Sequence, residues 1–196
     1  PSLVDQNQLS LSKYGFQIND FDQLYQLLPI ARGTTLLDAT LDLCNGDFPS
    51  EKTRILRRQV AGYKTGNSYD FLSTETVKYK DAKSVLSSMT DVENAIAKCK
   101  VNGGYTGSQG EMVKYSFDDS LKFSNNSTTL SRAVLTQIDD SSGTRWLLAF
   151  FQVKDDLASH MYVVKAQKFT DLEIQRWKKV ANLLAIRLST YSPLEL

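Results

Sequence analysis

Side chains suited to acid-base or nucleophilic catalysis are few in this sequence and lie far apart. His160 is the single histidine, so any Ser-His-Asp arrangement must use it. Asp155 and Asp156 precede it closely, but the chain contains no Gly-x-Ser-x-Gly element. A lone histidine near the start of a predicted strand is more often structural or exposed than catalytic. We therefore expect no catalytic residue and no enzyme activity.

Pairs of aspartates are the next candidates for chemistry. Asp118-Asp119, Asp139-Asp140 and Asp155-Asp156 all fall at predicted strand ends or turns. Asp is favoured there because its carboxylate accepts hydrogen bonds from the local backbone. None of the pairs lies in a calcium-loop pattern, and two cysteines with one histidine cannot complete a four-ligand zinc site. We expect turns at these pairs, no metal site and no cofactor.

Three arginines, Arg54, Arg57 and Arg58, lie close together in sequence. The planar guanidinium group matches phosphate and carboxylate geometry, so one interpretation is a contact with an anionic ligand. The other is ion pairing with Glu51, Glu75 or another acid. Because neighbouring strand residues point to opposite faces, Arg57 or Arg58 must face the interior and needs a partner there. We favour ion pairing, and we take Arg57, Arg58, Glu75 and Tyr79 as candidate ligand-binding residues if a cleft is present.

The elements that position these side chains follow the order α-β-β-α-β-β-β-β-α. Helical spacing predicts a first helix over residues 20–28 and a second from Asp81 towards Cys99. A capping box at Thr170–Glu173 starts the last helix. Turn residues 65–68 make the first two strands a hairpin. Strands are predicted at 57–63, 71–79, 112–117, 129–138, 145–153 and 161–167.

This pattern predicts an α+β fold, with a mostly antiparallel sheet of about five to six strands and helices packed on it. Residues 146–151 are apolar on both faces, which indicates a central strand covered on both sides. The Gly-rich stretch 102–110 lacks the Lys and Ser/Thr of a phosphate-binding loop and is predicted to be a flexible connection. Residues 1–17 are predicted to be an N-terminal linker or tail, and residues 18–196 a single domain.

Charge and hydropathy exclude two classes of partner. The chain has 23 basic and 22 acidic side chains, a net charge of +1, whereas nucleic-acid-binding domains usually carry a concentrated basic excess. No run approaches the roughly 18 apolar residues of a membrane span. The sequence begins without a basic and apolar signal segment. We expect a mature exported domain or a fragment of a longer protein, monomeric, with the nature of any upstream anchor left open.

The two cysteines, Cys44 and Cys99, both lie next to the ends of predicted elements. Such a pair suggests one structural disulfide in an exported domain. Two buried, unpaired cysteines of a cytosolic protein are the alternative, because free cysteine is among the most buried residue types.

A succession of short motifs resembles a family of actinobacterial exported proteins, many of them lipoproteins, and the extracellular sensor domain of mycobacterial PknH-type Ser/Thr kinases. The resemblance runs from Leu41 to Cys99 and is carried by LDLCNGDFPSE at 41–51, Arg54, RRQV at 57–60, STE at 73–75, Tyr79, Ala82 and Cys99. It implies an extracytoplasmic α/β domain with a cleft and a non-catalytic, ligand-sensing role. It also implies that Cys44 and Cys99 pair. The kinase sensor domains carry a second disulfide, for which this chain has no cysteines.

Three functions remain to be distinguished. The first is a non-catalytic sensor or ligand-binding domain of a bacterial cell-envelope protein, anchored or secreted, that binds a small molecule or an envelope component. The second is a cell-surface lipoprotein acting as a structural or protein-interaction module. It predicts an exposed apolar patch and no pocket of about 300 Å³ or more. The third is a hydrolase that uses His160.

Overall fold

The computed structural model describes residues 3–21, 24–64, 66, 69, 71–123 and 128–193. Within these ranges the strands form one antiparallel sheet of eight strands in the order β1-β2-β3-β8-β7-β6-β5-β4. The strands are β1 (Tyr25–Pro29), β2 (Arg54–Lys64), β3 (Phe71–Tyr79), β4 (Gly104–Thr106), β5 (Met112–Phe117), β6 (Leu130–Asp140), β7 (Gly143–Lys154) and β8 (Leu157–Lys165). The helices are α1 (Leu3–Leu11), α2 (Ala82–Asn102) and α3 (Asp171–Ser189).

Two long helices cover opposite faces of the sheet. The apolar side of α2, with Val85, Val92 and Ile96, packs against one face together with Phe151 of β7. The other face of β7, which includes Phe150, packs with side chains of α3. Since β7 lies between β6 and β8 and is buried on both sides, its prediction as a central covered strand is confirmed.

Capping residues in the sequence correctly predicted where α2 and α3 begin. The Asp81 carboxylate accepts a hydrogen bond from the Ser84 N–H at the start of α2, and Gly103, in the left-handed region at φ 68°, follows its end. Thr170 and Glu173 form the predicted capping box of α3. No helix of the described ranges combines the length and the apolar character needed to cross a membrane.

The predicted hairpin of β2 and β3 and the meander of β6, β7 and β8 are also confirmed. Residues 65, 67 and 68 of the predicted hairpin turn lie outside the described residues. The sheet is nevertheless wider than predicted, because eight strands form where the sequence indicates five to six. The two additional strands are β1 and β4, one at each edge.

The predicted helix over residues 20–28 is wrong. Asp20 ends a short 3-10 turn, and Tyr25–Pro29 forms the edge strand β1; residues 22 and 23 lie outside the described residues. Phe21 and Tyr25 keep the contact that helical spacing suggested, but as stacked rings with centroids 4.8 Å apart. Pairing with β2 supplies backbone hydrogen bonds that a short isolated helix cannot match. Pro29 fits at the end of an edge strand, where its lack of an N–H costs little.

The predicted loop over residues 102–110 contains strand β4, which pairs with β5. Gly104 explains why a glycine-rich sequence pairs here. Its φ of 139° suits glycine, and a Cβ would come within 2.0 Å of the Val113 carbonyl oxygen. Strand β4 therefore forms because the Gly104 backbone lies close to β5, and not because its residues favour a strand.

The described part of residues 1–17 departs from the predicted linker or tail. Leu3–Leu11 forms α1, and Leu11, Tyr14 and Phe16 are buried. The Phe16 N–H donates to the Thr74 Oγ1 at 2.9 Å, which fixes this segment on β3. These side chains belong to the core of the same domain.

Candidate functional site

A cleft lies between the sheet and the irregular chain that connects β1 to β2. We call residues 30–48 the wall segment. It crosses the α2 side of the sheet and encloses a cavity of about 490 Å³. The floor of the cavity is apolar and comes from four strands, through Val113, Ile138, Leu147 and Val164. The cavity therefore combines an apolar patch from the sheet with polar side chains from both the sheet, such as Glu75, and the wall segment, such as Asp42.

Arg54 holds the middle of the wall segment. Its guanidinium donates to the Leu36 carbonyl at 2.8 Å, the Asp38 carbonyl at 2.8 Å and the Thr40 hydroxyl at 2.6 Å. Glu51 forms an ion pair with it at 3.0 Å and accepts a hydrogen bond from the Thr40 N–H at 2.8 Å. The buried Arg54 guanidinium thus donates hydrogen bonds to backbone carbonyls of this irregular segment, as neighbouring strands do within a sheet.

Arg57 holds the beginning of the wall segment. Its guanidinium donates to the carbonyls of Arg32 and Thr35, each at 3.1 Å, and to the Gln59 side chain. It also forms an ion pair with Glu75, and both side chains are buried. Burial raises the pKa of the Glu75 carboxyl to about 7, against the opposing effect of the Arg57 charge. The predicted ion pairing of the arginine cluster is therefore present.

A β-bulge places both arginines on the same face. The register of β2 against β3 shifts between Arg54 and Leu56. Residues three apart on a regular strand lie on opposite faces, so without the extra residue Arg54 and Arg57 would diverge. The sequence contains no clear signal for this bulge.

The structure brings together only two of the four predicted ligand-binding residues. Arg57 and Glu75 line the cavity, although most Arg57 donors are already engaged. Tyr79 is fully buried in the core on the α2 side, where burial raises its pKa, and Arg58 follows Arg57 on β2 with its side chain half-buried. Neither Tyr79 nor Arg58 lines the cavity. A ligand contact for any of the four stays a prediction.

The disulfide predicted from the resemblance is present between Cys44 and Cys99, with Cα atoms 5.9 Å apart. It ties the end of the wall segment to the last turns of α2. Cys44 and Asn45 have φ values of 59° and 48°, so the chain turns sharply here. A Cβ on Gly46 would lie 2.8 Å from the Ala95 Cβ, which shows how closely the wall approaches α2.

His160 lies within β8, directly across from Glu75 and Phe151. Its side chain is fully buried, and its ring is edge-on to Phe151 with centroids 5.2 Å apart. Neither ring nitrogen has a hydrogen-bond partner among the described residues. Burial lowers the pKa of His160 to about 3, so the imidazole is neutral at pH 7. This side chain does not line the cavity and is closed to solvent.

The aspartate pairs lie at turns, as predicted. Asp118 accepts a hydrogen bond from the Ser120 N–H at 2.9 Å, and Asp140 from the Ser142 N–H at 2.8 Å. Asp155 has a φ of 52° between β7 and β8. Across the part of the chain that the structure describes, no three His, Cys, Asp or Glu side chains converge as metal ligands.

Sequence reasoning missed a group of tyrosines and one aspartate at the cavity. Tyr105 comes from β4, Tyr115 from β5 and Tyr162 from β8, and Asp42 comes from the wall segment. Tyr162 donates from its hydroxyl to the Thr40 carbonyl at 2.8 Å. Tyr105 and Tyr115 are neighbours through the pairing of β4 with β5, and the path of the wall segment brings Asp42 to the same cavity; that path cannot be read from local sequence.

The fold defines an α+β domain with one wide antiparallel sheet and a helix on each face. No family model matches the sequence, and no curated protein matches it. Solved structures that share the fold include two from mycobacteria. The extracellular domain of PknH from Mycobacterium tuberculosis has 14% identity and a TM-score of 0.54, over 90% of this chain and 95% of that chain. A putative uncharacterized protein from Mycobacterium smegmatis has 11% identity and a TM-score of 0.52, over 92% and 97% of the two chains. At these identities the likeness shows the fold alone. It confirms the fold that the resemblance in sequence implied.

Proposed function

We propose that this chain is a non-catalytic, extracytoplasmic ligand-binding or sensor domain of a bacterial cell-envelope protein. The cavity of about 490 Å³ carries the proposal. Its volume falls in the range of small-molecule sites, and it combines an apolar floor with a few polar groups, as such sites do. A small molecule or an envelope component of similar size would occupy it.

Location outside the cytoplasm forms part of the same proposal. The Cys44–Cys99 disulfide supports it, because structural disulfides persist mainly in oxidising compartments. The likeness to the PknH extracellular domain adds support. Attachment to the envelope, as in the actinobacterial lipoproteins that the sequence resembles, belongs to the proposal as well.

A structural or protein-interaction module is the alternative. That function predicts no pocket of about 300 Å³ or more, so the volume of the cavity favours ligand binding. The alternative would instead use exposed apolar side chains such as Leu183 and Ile186 on α3. The two functions therefore place the partner on opposite faces of the sheet.

Native mass spectrometry of the protein isolated, without reduction, from the envelope of its source tests the proposal. We expect a chain mass lower by two hydrogens, because the disulfide is closed, and an additional bound species. The variant Val164→Trp fills the cavity floor from a half-buried position and should lose that species. Val101→Trp is the matched control, since Val101 is 85% exposed near the end of α2 and should leave binding unchanged.

Two outcomes would contradict the proposal. One is a wild-type chain with both thiols free and no bound species. The other is a species retained by Val164→Trp when near-ultraviolet circular dichroism shows that variant to be folded. In the second case the partner binds elsewhere, as the interaction module requires.

A further inference from the structure

Two tyrosine rings on neighbouring strands line the cavity together with a carboxylate of the wall segment. Tyr105 of β4, Tyr115 of β5 and Asp42 of the wall segment line the cavity, whereas Tyr162 lines it from β8, three strands from β5. The ring centroids of Tyr105 and Tyr115 are 6.2 Å apart. Burial raises the pKa of the Tyr105 and Tyr115 hydroxyls; the Asp42 charge adds to that effect at both, and the Arg145 charge opposes it. We call Tyr105, Tyr115 and Asp42 the tyrosine cluster.

The backbone around Asp42 is held on both sides. Tyr162 donates to the Thr40 carbonyl at 2.8 Å, and the disulfide joins Cys44 to α2. Asp42 lies between these two anchors, so its backbone is placed before any ligand arrives. Such preorganisation lowers the entropic cost of binding.

The charges around the cavity leave Asp42 unbalanced. Arg57 pairs with Glu75, Arg145 with Asp140, and Asp38 with Arg32, so each of these charges is matched. Asp42 is exposed, and among the described residues it has neither an ion pair nor a hydrogen bond. An anionic ligand would meet this carboxylate without a free cation to offset it. A cationic ligand would complete the balance.

We propose that the tyrosine cluster binds an organic cation, an ammonium group carried on an apolar body. Aromatic rings attract ammonium groups through their electron-rich faces, and a nearby carboxylate adds charge attraction. An ammonium group alone would leave most of the 490 Å³ empty, and the apolar floor offers burial for the rest of the molecule. This inference rests on the proposed function and names the class of ligand.

The inference is tested with choline and its neutral isostere 3,3-dimethylbutan-1-ol, which differ in charge and hardly in shape. Each is titrated into ¹⁵N-labelled protein, and amide shifts are followed by two-dimensional NMR. Choline should shift amides at residues 40–44 and in β4 and β5, and bind at least about tenfold more tightly than the isostere. Benzyltrimethylammonium should bind more tightly still, because its ring adds apolar contact with the floor. Equal binding of choline and the isostere would overturn the inference.

Variants separate the carboxylate from the rings. Asp42→Asn should weaken choline binding by about tenfold. Asp47→Asn is the control, because Asp47 is exposed on the same segment and does not line the cavity. Tyr105→Phe keeps the ring and should keep binding, whereas Tyr105→Leu should lose it. An unchanged affinity in Asp42→Asn, or equal affinities in the two Tyr105 variants, would overturn the inference.

The proposed function is judged separately. If choline and benzyltrimethylammonium fail to bind while an envelope species is retained and is lost in Val164→Trp, the cleft is a binding site for another class of ligand. The inference then fails and the proposed function stands. If no species is retained and neither cation binds, both fail.

Discussion

Arg57 and Glu75 show how a buried ion pair can serve architecture. Both side chains are almost completely buried, and the arginine also donates to carbonyls of the wall segment. Removing water from two charges is costly, and several hydrogen bonds offset that cost here. The pair therefore fixes the edge of the cleft, whatever contact Arg57 also makes with a ligand.

Replacing Arg57 alone should destabilise the domain. Arg57→Met leaves the Glu75 carboxylate buried without its partner and should lower the free energy of unfolding by about 3 kcal/mol. The double variant Arg57→Met/Glu75→Leu should recover part of that loss, because no unpaired charge remains. Urea unfolding of the wild type, both single variants and the double variant gives the coupling energy. Additive effects of the two substitutions would contradict this account.

His160 gives a prediction about pH. Its pKa is lowered to about 3 in the folded protein, below the 6.5 of the unfolded chain. Between these values the unfolded state binds the additional proton, so this residue makes stability fall as the pH falls below about 6.5. In His160→Leu that contribution is absent. As the pH falls from 6 to 4, the free energy of unfolding of the variant should rise relative to that of the wild type by up to about 1.4 kcal/mol per pH unit.

Urea unfolding of both proteins across this pH range measures the difference. Because Glu75, across from His160 in the ladder, is retained in the variant, its own titration largely cancels in the comparison. At pH 7.5 the variant should be at least as stable as the wild type, since two buried nitrogens without partners are removed. A difference in stability that does not change with pH would contradict a buried neutral imidazole.

Among the elements, α3 has the strongest local start signal. The Thr170 hydroxyl accepts from the Glu173 N–H, and the Glu173 carboxylate accepts in return from the Thr170 N–H at 2.8 Å. Thr170→Ala should lower the free energy of unfolding by about 1 kcal/mol, because a backbone donor of the first turn loses its partner. Thr170→Ser retains the hydroxyl and should cost much less. Thermal unfolding compares the two, and an equal loss in both variants would contradict a capping role.

Elements with local signals could be predicted, and those set by distant contacts could not. The capping residues of α2 and α3 act within four positions, so sequence alone located both helices. Strand β1 carries a helical spacing of apolar residues, yet its conformation is decided by pairing with β2. The same holds for the cleft. Glu75 was identified beside the arginines, whereas Tyr105 and Asp42 meet only through strand order and the path of the wall segment.

At the scale of the whole molecule, the disulfide should matter for both stability and the cleft. Its cysteines are 55 residues apart, and the loop-entropy model gives about 4 kcal/mol for a loop of that length. Reduction should lower the free energy of unfolding by a few kcal/mol and loosen the wall segment. The double variant Cys44→Ser/Cys99→Ser should be equally destabilised and insensitive to reductant. Unchanged unfolding of the wild type after reduction would contradict this role.

The central claim is that a ligand binds between the wall segment and the sheet. Hydrogen-deuterium exchange of the domain, with and without the species isolated from the envelope, tests it most directly. We expect slower exchange at residues 30–48 and in β5, with α3 unchanged, because a bound molecule would close the cavity and steady the wall segment. Protection confined to α3, where Leu183 and Ile186 are exposed, would contradict the claim and favour a protein-interaction module.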